Sequence, residues 1–78
     1  MSWNHRLLMF EEEVNNYFQM HEVYYENDIP NGHTQNPTGV HGDSVDDIKW
    51  QLEMMTKALD KPILWGGDRF PEEYKKEE

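Results

Sequence analysis

Seventy-eight residues, only 36% of them hydrophobic, allow one small domain, which buries roughly 60% of the surface that its unfolded chain exposes. The lack of cysteine excludes disulfides, thiolate metal sites and a thiol nucleophile. A net charge of −9, from 16 acidic and 7 basic residues, speaks against direct nucleic-acid binding, which needs clustered Lys and Arg, and against binding an anionic membrane surface.

The first residues, Met1 to Arg6, lack a basic region followed by an apolar stretch, and no apolar run approaches the ~20 residues that span a bilayer. Together with the missing cysteines, this predicts a cytoplasmic protein.

Two apolar runs of strand length come first in the chain. Arg6 to Glu12 carries Leu7, Leu8, Met9 and Phe10, and Tyr17 to Tyr25 is rich in aromatic and branched residues. Asn15 and Asn16 between them favour a short hairpin turn. A turn centred on Val14 would set Arg6 opposite Glu22, Leu8 opposite Met20 and Phe10 opposite Phe18 on one face. The other face would then pair Trp3 with Tyr25, His5 with Val23, Leu7 with His21 and Met9 with Gln19. Because strand side chains alternate, a slip of one residue would undo every one of these pairs.

Asn27 to Gly32 reads as a turn region, most clearly at Pro30-Asn31-Gly32. Thr34 to Val40 is a candidate third strand, confined to an edge or irregular because Pro37 cannot donate to a ladder. Ser44 to Leu59 then has the signature of a helix. Ser44 is the N-cap with Asp47 three residues on, acids fill the first turn, Lys57 and Lys61 stand near the end, and Pro62 stops it. Val45, Ile48, Leu52, Met55 and Leu59 form a stripe predicted to cover the Leu8, Phe10, Phe18 and Met20 face. Trp50, Met54 and Ala58 form a second apolar feature, either covered by Pro62-Ile63-Leu64-Trp65 or turned toward a partner. The predicted fold is α+β. A small antiparallel sheet of two or three strands is covered by one C-terminal helix over residues 1–67, with 68–78 an acidic, disordered tail.

Few constellations carry chemistry. His5 and His21 would be diagonal neighbours on one face, but no further ligands stand at the spacing a zinc site needs, and the histidines read as structural. His21-Glu22 opens like a zinc-protease helix motif, yet Tyr25 stands where its second His belongs. Glu22 reads as ion-paired with Arg6 rather than catalytic. Ser44 is spent as a cap, and no glycine pattern cradles phosphate. No catalytic residue, cofactor or metal ligand is assigned, and the protein is expected not to be an enzyme.

Trp3-Asn4-His5-Arg6, His21-Glu22-Val23-Tyr24-Tyr25, Asn36-Pro37, Gly42-Asp43-Ser44 and Met55 through Leu64 give the chain a likeness beyond composition. Over residues 3–64 it resembles a family of small uncharacterised proteins of bacteria, notably cyanobacteria, and of their phages. That pattern is Trp-Asn-x-Arg, His-Glu-Val-Tyr-Tyr and a helix ending in Ala-Leu-x-Lys-Pro. The acidic, Asn-rich turn from Glu11 to Asn16 departs from the glycine-containing turn usual there. The resemblance implies the strand-strand-helix order and a phage or cyanobacterial source, with the host cytoplasm as location in the phage case. It brings no activity, cofactor or site residue.

Three functions are therefore expected, in order. The first is a small binding or regulatory protein acting through contact with another protein or a second copy of itself, with Trp50, Met54 and Trp65 as the interaction surface. The second is an acidic decoy that mimics DNA for a basic nucleic-acid-binding protein. The third is a small-ligand or hydrolytic site around His5, Arg6, His21 and Glu22.

Overall fold

The computed structural model describes residues 2–12 and 15–75. The elements are β1 (Ser2–Glu11), β2 (Asn16–Glu26), β3 (Ile29–His33), α1 (Val45–Thr56) and β4 (Leu64–Trp65), with 3₁₀ turns at Lys57–Asp60 and Gly67–Arg69. The strands form one sheet in the order β3-β2-β1-β4. The fold is α+β as expected, with one strand more. No helix among the described residues is long and apolar enough to cross a membrane.

The hairpin forms, but its register is one residue away from the expected one. Arg6 stands opposite His21, Leu8 opposite Gln19, Phe10 opposite Tyr17 and His5 opposite Glu22. Glu13 and Val14, the centre of the expected turn, lie outside the described residues. On either side of them, Glu11 pairs with Asn16, and the Glu12 N–H donates to the Asn15 carbonyl at 3.2 Å. The ladder thus closes around an even number of residues, which moves each β2 side chain to the other face relative to β1. Leu8 and Phe10 no longer share a face with Phe18 and Met20. Instead Leu8 meets Val23 and Leu64 in the buried core, with Phe10, Tyr25 and Phe70 packed against it. This register wins by uniting Leu8 and Val23, both fully buried, at the centre of the sheet.

The second turn is tighter than expected. Asn27 and Asp28 both have positive φ, 53° and 64°, and join Glu26 directly to Ile29. This is the geometry of a two-residue hairpin loop, and Asn and Asp are the non-glycine residues that best tolerate it. Pro30 and Gly32 therefore belong to β3, and Asn31 is the extra residue of a bulge between them. Residues 34–40 are irregular, yet follow the β2 edge through Thr34 N–H to Glu22 O (3.0 Å) and Thr38 N–H to Met20 O (2.8 Å).

The helix starts where its cap predicts. The Ser44 hydroxyl accepts from Asp47 N–H at 3.1 Å, and Asp47 Oδ2 reaches back to Asp43 N–H at 3.3 Å. Its buried face was not foreseen. Met55 and Ala58 are buried and Gln51 and Met54 half-buried, whereas Val45, Leu52 and Leu59 are exposed. The helix is turned by about a quarter of a revolution from the expected orientation, so its inner face takes residues from both apolar stripes. Two contacts explain this. The Gln51 amide clasps both the N–H and the carbonyl of His41, which places the preceding loop on that side. The 3₁₀ turn lies against β1 with Ala58, a small residue suited to close approach, 1% exposed.

Pro62 to Trp65 does fold back, but onto the sheet edge rather than onto Trp50. Leu64 and Trp65 pair in parallel with Leu8 and Met9. Of the expected tail, residues 76–78 lie outside the described residues, while the part before them runs beside β4. Trp65 N–H donates to Glu72 O, Tyr74 N–H to Ile63 O, and Leu64 bridges Glu73, contacts that reach as far as Tyr74.

Candidate functional site

The four residues expected to cluster are divided between the two faces of the sheet. Arg6 and His21 share one face, and His5 and Glu22 share the other, because strand neighbours alternate and opposed residues point the same way. The expected Arg6–Glu22 ion pair does not form, and His5 and His21 are not neighbours on one face.

Arg6 is the more unusual member. It is 8% exposed, and among the described residues no carboxylate lies within salt-bridge distance of it. Nη1 donates to the Tyr25 hydroxyl at 2.8 Å and Nη2 to the Pro62 carbonyl at 2.6 Å, while Nε has no partner. Asn4, two residues earlier on the same face, has a buried Oδ1 that is also without a partner. Both residues line a cleft of about 280 Å³ whose other walls are Ser2, Trp3, Tyr25, Asp28 and Lys61. The β2–β3 turn supplies Asp28, and the segment after the 3₁₀ turn supplies Lys61. Sequence reasoning missed Asn4, Tyr25, Asp28 and Lys61. The dipeptide Asn27-Asp28, a two-residue turn signal, would have brought Asp28 beside Tyr25.

His21 is fully buried and satisfied. Its Nδ1 lies 2.9 Å from the Thr34 carbonyl and its Nε2 3.1 Å from Gln19 Oε1. The same carbonyl is 2.6 Å from His33 Nδ1, so it accepts from both rings, which meet edge to face at 5.3 Å. Phe10 and Phe70 complete this aromatic group. Burial pushes the His21 pKa below the usual imidazole value, the Thr34 hydrogen bond opposes this, and His33 adds to it. With Nδ1 donating to the Thr34 carbonyl, neutral His21 offers Nε2 as an acceptor, which Gln19 meets with its amide NH₂ turned toward the ring, and His21 so acts as a strut between β2 and the loop after β3.

The expected interaction surface is likewise rearranged. Trp50 is 52% exposed and Met54 half-buried. Trp65 stacks edge to face on Tyr74 and carries the Arg69 guanidinium 3.9 Å above its ring. The larger apolar surface is the stripe that the sequence assigned to the core. Val45 (82% exposed), Ile48 and Leu52 (49%) line an open groove on the outer side of α1, bordered by Lys49, Glu53 and Thr56.

The architecture defines a small α+β protein, a four-stranded sheet with one helix against its β1 strand and an apolar outer helix face. Comparison with known protein families, curated proteins and solved structures finds no match.

Proposed function

We propose that this chain is a small binding protein that acts through protein–protein contact at the outer face of α1. The observation that carries this reading is the groove of exposed Val45 and Leu52 with half-buried Ile48 between them. These residues are apolar and lie in a row at helical spacing, and Val45 and Leu52 contribute little to the protein's own core. Leu59 extends the row into the following turn. Trp50 and Met54 lie on the far side of the same helix, roughly 150° or more round from this row, and stand outside the proposed surface.

Charge complementarity selects the partner. A second copy would bring a further −9 to the interface, whereas a protein that presents apolar side chains within a basic rim would meet an acidic body. The reading is therefore of a non-enzymatic, acidic module with a basic protein partner.

The test is capture from a lysate of the producing cells by wild type and by a Val45→Asp/Leu52→Asp variant. Both side chains are exposed, so the variant keeps its fold. The reading stands when a captured basic protein, once purified, binds wild type directly, loses the variant and weakens with salt. Equal capture by both proteins defeats it. Self-association in sedimentation, lost in the variant, would replace the basic partner with a second copy. Displacement by duplex DNA with the variant still bound would point to the acidic decoy instead.

A further inference from the structure

We infer that residues 34–43, between β3 and the cap of α1, form an acid-released strap, which a neutral His21–His33 pair holds on the β2 edge and which lifts when that pair takes up protons. The inference rests on how the strap is fastened. The Thr34 carbonyl accepts from both imidazoles, with His21 Nδ1 at 2.9 Å and His33 Nδ1 at 2.6 Å, and the Thr34 hydroxyl lies 3.1 Å from His21 Nδ1. Thr34 N–H donates to the Glu22 carbonyl and Thr38 N–H to the Met20 carbonyl, both on β2. At the far end the Gln51 amide clasps the His41 main chain. Between these points the strap is irregular, and Gln35, Asn36, Pro37, Gly39 and Val40 are exposed.

No element packed around the pair brings a counter-charge. β1 supplies the Phe10 ring and, opposite His21, Arg6, whose guanidinium reaches away to Tyr25 and Pro62. β2 supplies Gln19, β3 supplies His33 itself, the strap supplies Thr34, and the segment after β4 supplies Phe70, edge to face on His33. Among the described residues no carboxylate lies within salt-bridge distance of either imidazole. His21 is fully buried, so a proton on it creates a charge met by neutral acceptors alone, beside a second titratable ring 5.3 Å away centre to centre. The Nε2–H that forms also faces the Gln19 NH₂, which has to turn over. Water is the remaining partner for the charge. The strap is the cover that yields most easily, because the rest is ladder or aromatic packing, whereas surface main-chain bonds hold the strap. Lifting it bares the Met20 and Glu22 carbonyls, so a fall in pH opens a strand edge of the kind that accepts an added strand.

None of these residues lines the α1 groove, so the strap and the groove are separately testable. The experiment is amide hydrogen exchange, followed by NMR on the full-length protein from about pH 7.5 to about 5.5 and corrected for the intrinsic exchange rate. If opening takes up one proton, the opening constant rises by at most about tenfold for each pH unit below ~6.5. The Thr34 and Thr38 amides should lose protection at up to that rate. The amides of Trp65 and Gly66, which donate to Glu72 and Met9, should keep theirs. In His21→Gln, which has no proton to take up, Thr34 and Thr38 should stay protected at the lowest pH. His33→Gln changes a half-buried side chain, should fold, and should show a shallower loss than wild type. Unchanged protection of Thr34 and Thr38 throughout overturns the strap. A loss shared by Trp65 and Gly66 replaces it with unfolding of the whole domain. A loss that persists in full in His33→Gln and in His21→Gln assigns the response to another group and overturns the role of the pair.

Discussion

Arg6 and His21 stand directly opposite one another on the β1–β2 ladder, yet their polar atoms reach in opposite directions. The guanidinium extends to Tyr25 and to the Pro62 carbonyl, while the imidazole extends to Thr34 and Gln19. One buried pair therefore fastens the hairpin to two separate parts of the chain, the segment after the helix and the loop after β3.

Removing the phenol that Arg6 holds should be costly. Tyr25→Phe deletes the acceptor of a charged donor that is shielded from water, and should destabilise the protein by about 1.5–3 kcal/mol. Urea denaturation measures this. A loss below about 0.5 kcal/mol would mean that solvent replaces the hydroxyl.

His21 gives stability a pH dependence. Its pKa in the folded protein lies below the usual ~6.5 of the unfolded chain, so the unfolded state takes up the proton first. The contribution is fully present above pH ~6.5 and is lost as pH falls from there toward the folded-state value, at up to about 1.4 kcal/mol per pH unit. Denaturation midpoints between pH 8 and 5, compared with those of His21→Gln, test this. The variant should lack that part of the slope.

Gly66 faces the Phe10 ring so closely that a Cβ there would overlap it. Gly66→Ala should cost about 1–3 kcal/mol by overpacking, and adding Phe10→Leu should recover part of that loss. Additive effects in the double variant would show that the strand shifts to make room.

The two faces of α1 should respond oppositely to truncation. Met55→Ala removes a buried side chain and should cost about 2–3 kcal/mol, whereas Val45→Ala should stay within about 0.5 kcal/mol. Comparable losses at both sites would place the outer stripe in the core.

That contrast also shows what the sequence could and could not disclose. The cap at Ser44 and the stop at Pro62 are local, settled by a few neighbouring residues, and were legible. The inner face of the helix was not, because two apolar stripes compete on it and the decision falls to Gln51 and His41, a contact between distant positions. The hairpin was legible as an element but not in register, since one residue more or less in the Glu11–Asn16 turn exchanges the faces of β2. β4 gives almost no signal. Two residues pairing in parallel across the length of the fold leave no period to detect. The candidate cleft was visible only through Arg6, because Asn4 and Asp28 are ordinary polar residues until the strands bring them together.

The parallel pairing of Leu64 and Trp65 with Leu8 and Met9 has a consequence for synthesis. The central strand emerges early, yet the segment that covers its second edge emerges only after the whole helix. While the chain is being made, the β1–β2 hairpin thus presents a row of unpaired amide and carbonyl groups flanked by Leu8 and Met9, an edge of the kind that recruits neighbouring chains. The exposure of that edge at Leu8 and Met9 therefore belongs to the growing chain, and it ends there when Trp65 arrives.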